Sequence, residues 1–262
     1  TEKLRTEALS KIVEARGLDG VFDLADRGSV QRRIGAWLAS GILPEDKLPS
    51  LIIQSIRPPS AATIRDGIVA GVMWAMNADR RKALYNELRT IITENEALRL
   101  LLLAPFRRAT WELVDQLSEA ARSNYWRDVV PQYTFDSADE NNEGVRRLLD
   151  AKRPRAAFAA VHFKLDEIRP SLLVQMLWGM ARDGNDKSGE FQLRDYDIRQ
   201  AFQLLDQNSD VSLEDKVGLE FAYLDVLARD FRGDDGHQIP NLERYVEEHP
   251  DMFVQAAVWA YK

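Results

Sequence analysis

An all-α fold, with helices stacked as antiparallel pairs into an α-solenoid, is what this sequence of 262 residues predicts, and three observations carry the expectation. Apolar residues recur three and four apart along nearly the whole chain, which is the period of a helix buried on one face. Glycine and proline are sparse, at 14 and 10 residues, too few to punctuate an all-β protein of this length. Trp37, Trp74 and Trp111 stand 37 residues apart, each late in an apolar helical stretch. That interval is about one helix–turn–helix unit of a stacked array.

The elements follow in order. Leu4, Ala8, Ile12 and Ala15 make a helical stripe that Gly17 stops, and Ser29 is positioned as the N-cap of a helix holding Ile34, Trp37 and Leu38 that ends near Gly41. Pro44 opens a helix with Leu48, Leu51, Ile52 and Ile56. Pro58-Pro59 breaks the chain, and Ser60 caps a helix through Ile64, Ile68, Val72 and Met76. Leu84, Leu88, Ile91 and Ile92 continue the pattern, as do Leu98, Leu101 and Leu102 before Pro105. A further helix carries Phe106, Trp111, Val114 and Leu117, and the stretch from Trp126 to Phe135 reads as a connector.

Beyond the connector, Ser137-Ala138-Asp139-Glu140 has the spacing of a capping box and opens a helix with Val145, Leu148 and Leu149. Small residues Ala156, Ala157 and Ala160 suit close helix packing, and Pro170 opens the helix of Leu173, Met176, Leu177 and Met180. Ile198, Phe202 and Leu205 mark the next helix, and Ser212 caps one with Val217, Phe221, Leu224 and Leu227. Leu242, Tyr245 and Val246 lead to Pro250, and Phe253, Ala257 and Val258 form the last stripe. These readings amount to roughly twelve helices.

Charge divides the chain at the connector. Residues 1–131 carry 19 Lys and Arg against 17 Asp and Glu, a net of +2, whereas residues 132–262 carry 16 against 25, a net of −9. We therefore read two helical arrays, 1–131 and 132–262, continuous with one another. The acidic half repels phosphates, which argues against general nucleic-acid or anionic-membrane binding there. Cysteine is absent, so a disulfide framework, a thiolate metal site and a cysteine nucleophile are all excluded. No run of 18 apolar residues exists and the N-terminal helix is too charged for a secretion signal, so a cytoplasmic location away from membranes is the expectation. The chain begins at Thr1 without methionine and stops inside an amphipathic stretch, which reads as a piece of a longer protein.

Chemistry-bearing constellations are few. The only histidines are His162, His237 and His249. His162 lies beside an apolar face and reads as a core or boundary residue, and His249 precedes Pro250, where it helps end a helix. His237 shares a polar loop with Asp230, Asp234 and Asp235, which is the single place where a hydrolase or metal site could be assembled, although the order of ligands fits no metal motif. Asp206 to Asp210 offers oxygens at positions one, three and five of a calcium loop, but Val211 and Val217 stand where glycine and a bidentate glutamate are needed. Phosphate loops and the nucleophile and zinc motifs do not occur. No metal, cofactor or catalytic group is expected.

Basic clusters do recur. Arg32-Arg33, Arg80-Arg81-Lys82 and Arg107-Arg108 are the candidate partner-binding residues of the first array. Aligned near Trp37 and Trp111 they would form a basic stripe, for a protein partner of complementary charge or, as the alternative, for nucleic acid. The segment from Leu219-Glu220-Phe221-Ala222-Tyr223-Leu224 through Leu242-Glu243-Arg244-Tyr245 to His249-Pro250-Asp251-Met252-Phe253-Val254 resembles helical regions of large bacterial proteins, several of them associated with anti-phage defence. That resemblance implies a tetratricopeptide- or HEAT-like array acting as the scaffold or sensor of a protein whose effector lies elsewhere.

Overall fold

A computed structural model describes residues 2–57, 62–132, 137–182, 194–227 and 239–249. The fold is all-α: fifteen α-helices, joined by short turns and two 3₁₀ segments, make up the described residues, which contain no strand. Two compact units, Thr1–Val130 and Pro131–Lys262, divide the chain.

The first unit begins with a long helix, α1 (Glu2–Arg27), whose φ of 56° at Gly17 breaks the regular geometry without ending the element. Only glycine enters that region without strain, so the expected stop is a kink. Next come α2 (Gln31–Trp37), a π-helical turn over Leu38–Ile42 that Gly41 closes at a φ of 111°, and α3 (Leu48–Ile56). Ser29 does not cap α2: Val30 holds that position and no side chain bonds there. Pro58, Pro59 and Ser60 lie outside the described residues. Then α4 (Ala62–Ala75), α5 (Ala78–Leu88), α6 (Glu94–Leu102), α7 (Arg108–Val114) and α8 (Glu119–Asp128) complete the unit.

Three N-caps define the second half of this unit. Asn77 accepts from the Arg80 amide, Ser118 from the Ala121 amide, and Thr93 with Glu96 forms a reciprocal capping box. Each satisfies a backbone N–H that the first helical turn leaves without a partner. The segment read as a connector from Trp126 is in part helix, because α8 buries Ala121 and Tyr125, one turn apart, against α6. Phe106 packs edge to face on Trp111 and Trp126 beside them, with Phe106 and Trp111 centroids 4.9 Å apart.

The tryptophan interval does not mark a structural repeat. Trp37 and Trp74 end α2 and α4, two helices that pack on each other as a single pair, while Trp111 sits mid-helix in α7. Trp111 is fully buried, whereas Trp37 and Trp74 are half-buried.

In the second unit, α9 (Ala138–Asp150), α10 (Pro154–Val161) and α11 (Pro170–Arg182) pack in succession. Ser137 caps α9 as its spacing predicts, accepting from the Glu140 amide. Asn142 ties the α10–α11 connection down: its amide donates to Glu167 O at 2.9 Å and its carbonyl accepts from the Arg169 amide at 2.8 Å. After α12 (Asp195–Asp206), Ser212 caps α13 (Leu213–Ala222) by accepting from the Asp215 amide at 3.0 Å. The helix expected to run through Leu227 breaks at Tyr223, whose hydroxyl donates to Leu177 O at 2.8 Å, and resumes as α14 (Leu224–Leu227). The last described helix is α15 (Pro240–Glu248). The stripe of Phe253, Ala257 and Val258 lies outside the described residues.

Candidate functional site: a cationic groove between α2 and α4

The groove exists because two helices touch backbone to backbone. A Cβ added to Gly35 would lie 2.0 Å from Ile68 O, and one added to Gly71 would lie 2.0 Å from Arg32 O. Gly67 is similarly tight against Gln31. Any side chain at Gly35 or Gly71 would force the axes apart, so these glycines set the closeness of the crossing. Closeness at the crossing brings Arg32, Arg33 and Ala36 of α2 beside Gly71, Trp74 and Ala75 of α4, around a groove of about 660 Å³ that Ser29 and Val30 also line.

Inside it, the Arg32 guanidinium lies over the Trp74 ring, 4.3 Å from the centroid. The indole Nε1 of Trp74 is buried and has no hydrogen-bond partner among the described residues. Val30 is 41% exposed, an apolar residue at the groove's edge. Arg33 is exposed and makes no ion pair among the described residues.

The other predicted cations go elsewhere. Arg80 pairs with Glu45 at 2.7 Å. Arg81 is buried and points inward, donating to Met73 O at 3.1 Å and also to Met76 O. A cation on the last carbonyls of α4 is favoured by the helix dipole, so Arg81 is a structural clamp and leaves the proposed binding set. Burial, and then the charge of Arg107 beside it, lowers the Arg81 pKa. Lys82 is exposed on α5, Arg108 is exposed at the start of α7, and neither lines the groove. Of the seven candidates, Arg32 and Arg33 are therefore the two that the groove unites.

Several other arginines are held in internal pairs. Arg57 meets Glu96, Arg99 meets Asp66 at 2.7 Å, and Arg146 bridges Glu143 and Asp150, both at 2.9 Å. Arg146 and Arg147 together hold the Glu143 carboxyl down to about 2.

One buried carboxylate cluster stands apart, in the second unit. Glu220 is fully buried and accepts from the Asn241 and Leu242 amides and from the Asn241 side chain, whose amide also reaches Asp206 at 2.6 Å. Burial raises the pKa of both Glu220 and Asp206. All of Glu220's bonds run to the first turn of α15, so the cluster anchors that helix to α13.

His162 is buried, as expected, with Nδ1 2.9 Å from Ala159 O. His249 stacks on Tyr245 at the end of α15. Asp230 to His237 lies outside the described residues, and no cluster of three metal-ligating side chains occurs among those that are described. No described helix is long and apolar enough to cross a membrane. Comparison with protein-family models, with curated proteins and with solved structures gave no match.

The signal for the groove was present but unread. Gly67 and Gly71 stand four apart on one face of a helix, which permits a close crossing, and Gly35 answers them from α2. What no pattern supplies is the pairing of Arg32 with Trp74, since that depends on which helix α4 crosses.

Proposed function

We propose that this chain is a protein-binding scaffold or sensor module of a larger protein, without catalysis of its own. One observation supports it most: the groove between α2 and α4, where two guanidiniums, an indole and an exposed valine surround space of binding-site size. Arginine and tryptophan are the side chains most enriched at the energetic centres of protein interfaces. The reading includes a cytoplasmic setting and the solenoid-like stacking to which the bacterial, defence-associated resemblance points.

Nucleic acid is the weaker alternative on this geometry. Phosphate binding draws on an extended row of cations, and Arg57, Arg80, Arg81 and Arg99 are committed to internal partners. Base stacking needs an open aromatic face, and the groove's indole already carries Arg32 over its ring. The test is a binding measurement with single- and double-stranded DNA and RNA at about 150 mM salt, where non-specific binders reach roughly 10⁻⁴–10⁻⁶ M. Affinity no tighter than that is expected. Sub-micromolar binding lost on neutralising Arg32 and Arg33 would replace this reading with the nucleic-acid one.

A further inference from the structure

The groove also carries information about what it binds. Arg32 and Arg33 are successive residues of a helix, so their side chains leave the axis about 100° apart. Two cations that diverge are poorly placed to close on one phosphate group and well placed to meet two separate anions. The Trp74 ring beneath it holds the Arg32 guanidinium at the groove, and the planar fork of a guanidinium suits a carboxylate. Arg33 adds an exposed charge with no ion-pair partner among the described residues. Between rim and floor, Val30 offers apolar surface and Ala36, Gly71 and Ala75 keep the groove open by their small size. The buried Trp74 Nε1 has no acceptor, a cost that a native structure normally removes by supplying one.

We propose that the α2–α4 groove recognises an acidic segment of a partner protein, in which two carboxylates flank an apolar side chain. Arg32 and Arg33 each take one carboxylate, and the apolar side chain rests against Val30 and the edge of Trp74. This inference rests on the protein-binding reading above and narrows it to one ligand chemistry. Charge complementarity selects the occupant: the groove presents Arg32 and Arg33, whereas Arg80 and Arg99 are paired with Glu45 and Asp66, so a short acidic stretch is favoured over a long polyanion.

The experiment is a titration of the full chain with short labelled peptides that present Glu-Leu-Glu in a glycine–serine background. Matched probes replace both glutamates with glutamine, both with lysine, or the central triplet with phosphoserine, and single-stranded DNA is run in parallel. The Glu-Leu-Glu peptide is expected to bind at roughly 10–100 μM, with at least about tenfold weaker binding for the glutamine peptide and for Arg33→Gln. Lys82→Gln, a change outside the groove, is expected to leave that affinity within about twofold. Arg32→Lys keeps the charge but loses the planar fork, and should weaken binding by at least about threefold.

Equal binding of the glutamate and glutamine peptides would overturn the inference, as would an equal loss in Lys82→Gln and Arg33→Gln. A preference for phosphoserine over Glu-Leu-Glu would overturn it in favour of a phosphate ligand. If only the lysine or glutamine peptide binds, carboxylate recognition fails while the protein-binding reading stands. If single-stranded DNA binds below about 1 μM and the peptides do not, both fail.

Discussion

Arg81 shows why residue type and position in sequence do not by themselves identify a binding residue. It belongs to the densest basic cluster of the first unit, yet its guanidinium caps the carbonyl end of α4. Arg81→Ala strips charge-assisted bonds from two buried carbonyls, and should cost about 2–4 kcal/mol in urea unfolding. Lys82→Ala, one residue on, should fall within about 0.5 kcal/mol of the parent. A cost for Arg81→Ala no larger than that for Lys82→Ala would contradict the clamp. Two carboxylates of the second unit make a paired prediction about pH. Glu143 is held near 2 by Arg146 and Arg147, below its ordinary 4.5, so the stability it contributes is present above pH 4.5 and lost as pH falls toward 2. Burial raises Glu220 above its ordinary 4.5, so its contribution is complete below pH 4.5 and declines as pH climbs through the raised value. Amide exchange of α15, corrected for its intrinsic pH dependence, should therefore show a difference with pH, protection falling as pH rises above Glu220's ordinary 4.5. Glu220→Gln should shrink the difference, and an unchanged difference in that variant would assign it to another group.

Elements were legible where their apolar stripe was wide and their cap was a serine in the expected box. That is why α9 and α13 start where Ser137 and Ser212 predict. Helix α8 escaped notice because its buried residues are only Ala121 and Tyr125, a stripe too narrow to announce a helix among polar neighbours. Its Ser118 cap, like the Thr93–Glu96 box of α6, was equally visible in the sequence and marks those starts more sharply than hydrophobicity does. The tryptophan interval misled for the opposite reason: a regular spacing along the chain need not place residues at equivalent positions, and α2 and α4 pair with each other instead of repeating. The pair itself depends on glycine. Gly71→Ala would set a methyl 2.0 Å from Arg32 O, on a backbone that cannot swing away. Separating the helices should cost about 1–3 kcal/mol or more and should also open the groove, weakening any ligand that bridges its two walls. Gly28→Ala serves as the comparison, since its Cβ would meet nothing nearer than 3.5 Å. If the two variants unfold at the same denaturant concentration, the close crossing is not what holds the pair.

At the scale of the molecule, charge is the property that the sequence displayed and the fold redistributed. The basic clusters of residues 1–131, a half with a net of +2, suggest a basic stripe. Folding pairs Arg57, Arg80 and Arg99 with acids and places Arg32 and Arg33 together on one groove. The groove was not legible because it needs two contacts between residues that lie far apart in sequence: a close glycine crossing and an arginine over a tryptophan. The central proposal is that this groove is where a partner binds. Hydrogen exchange of the full chain with and without saturating Glu-Leu-Glu peptide tests it most directly. Added protection should be confined to the segments that frame the groove, from Ser29 through Trp37 and from Gly71 through Ala75. Protection appearing instead across Arg80 to Lys82 and Arg107 to Arg108, or in the second unit with the groove unchanged, would contradict the claim.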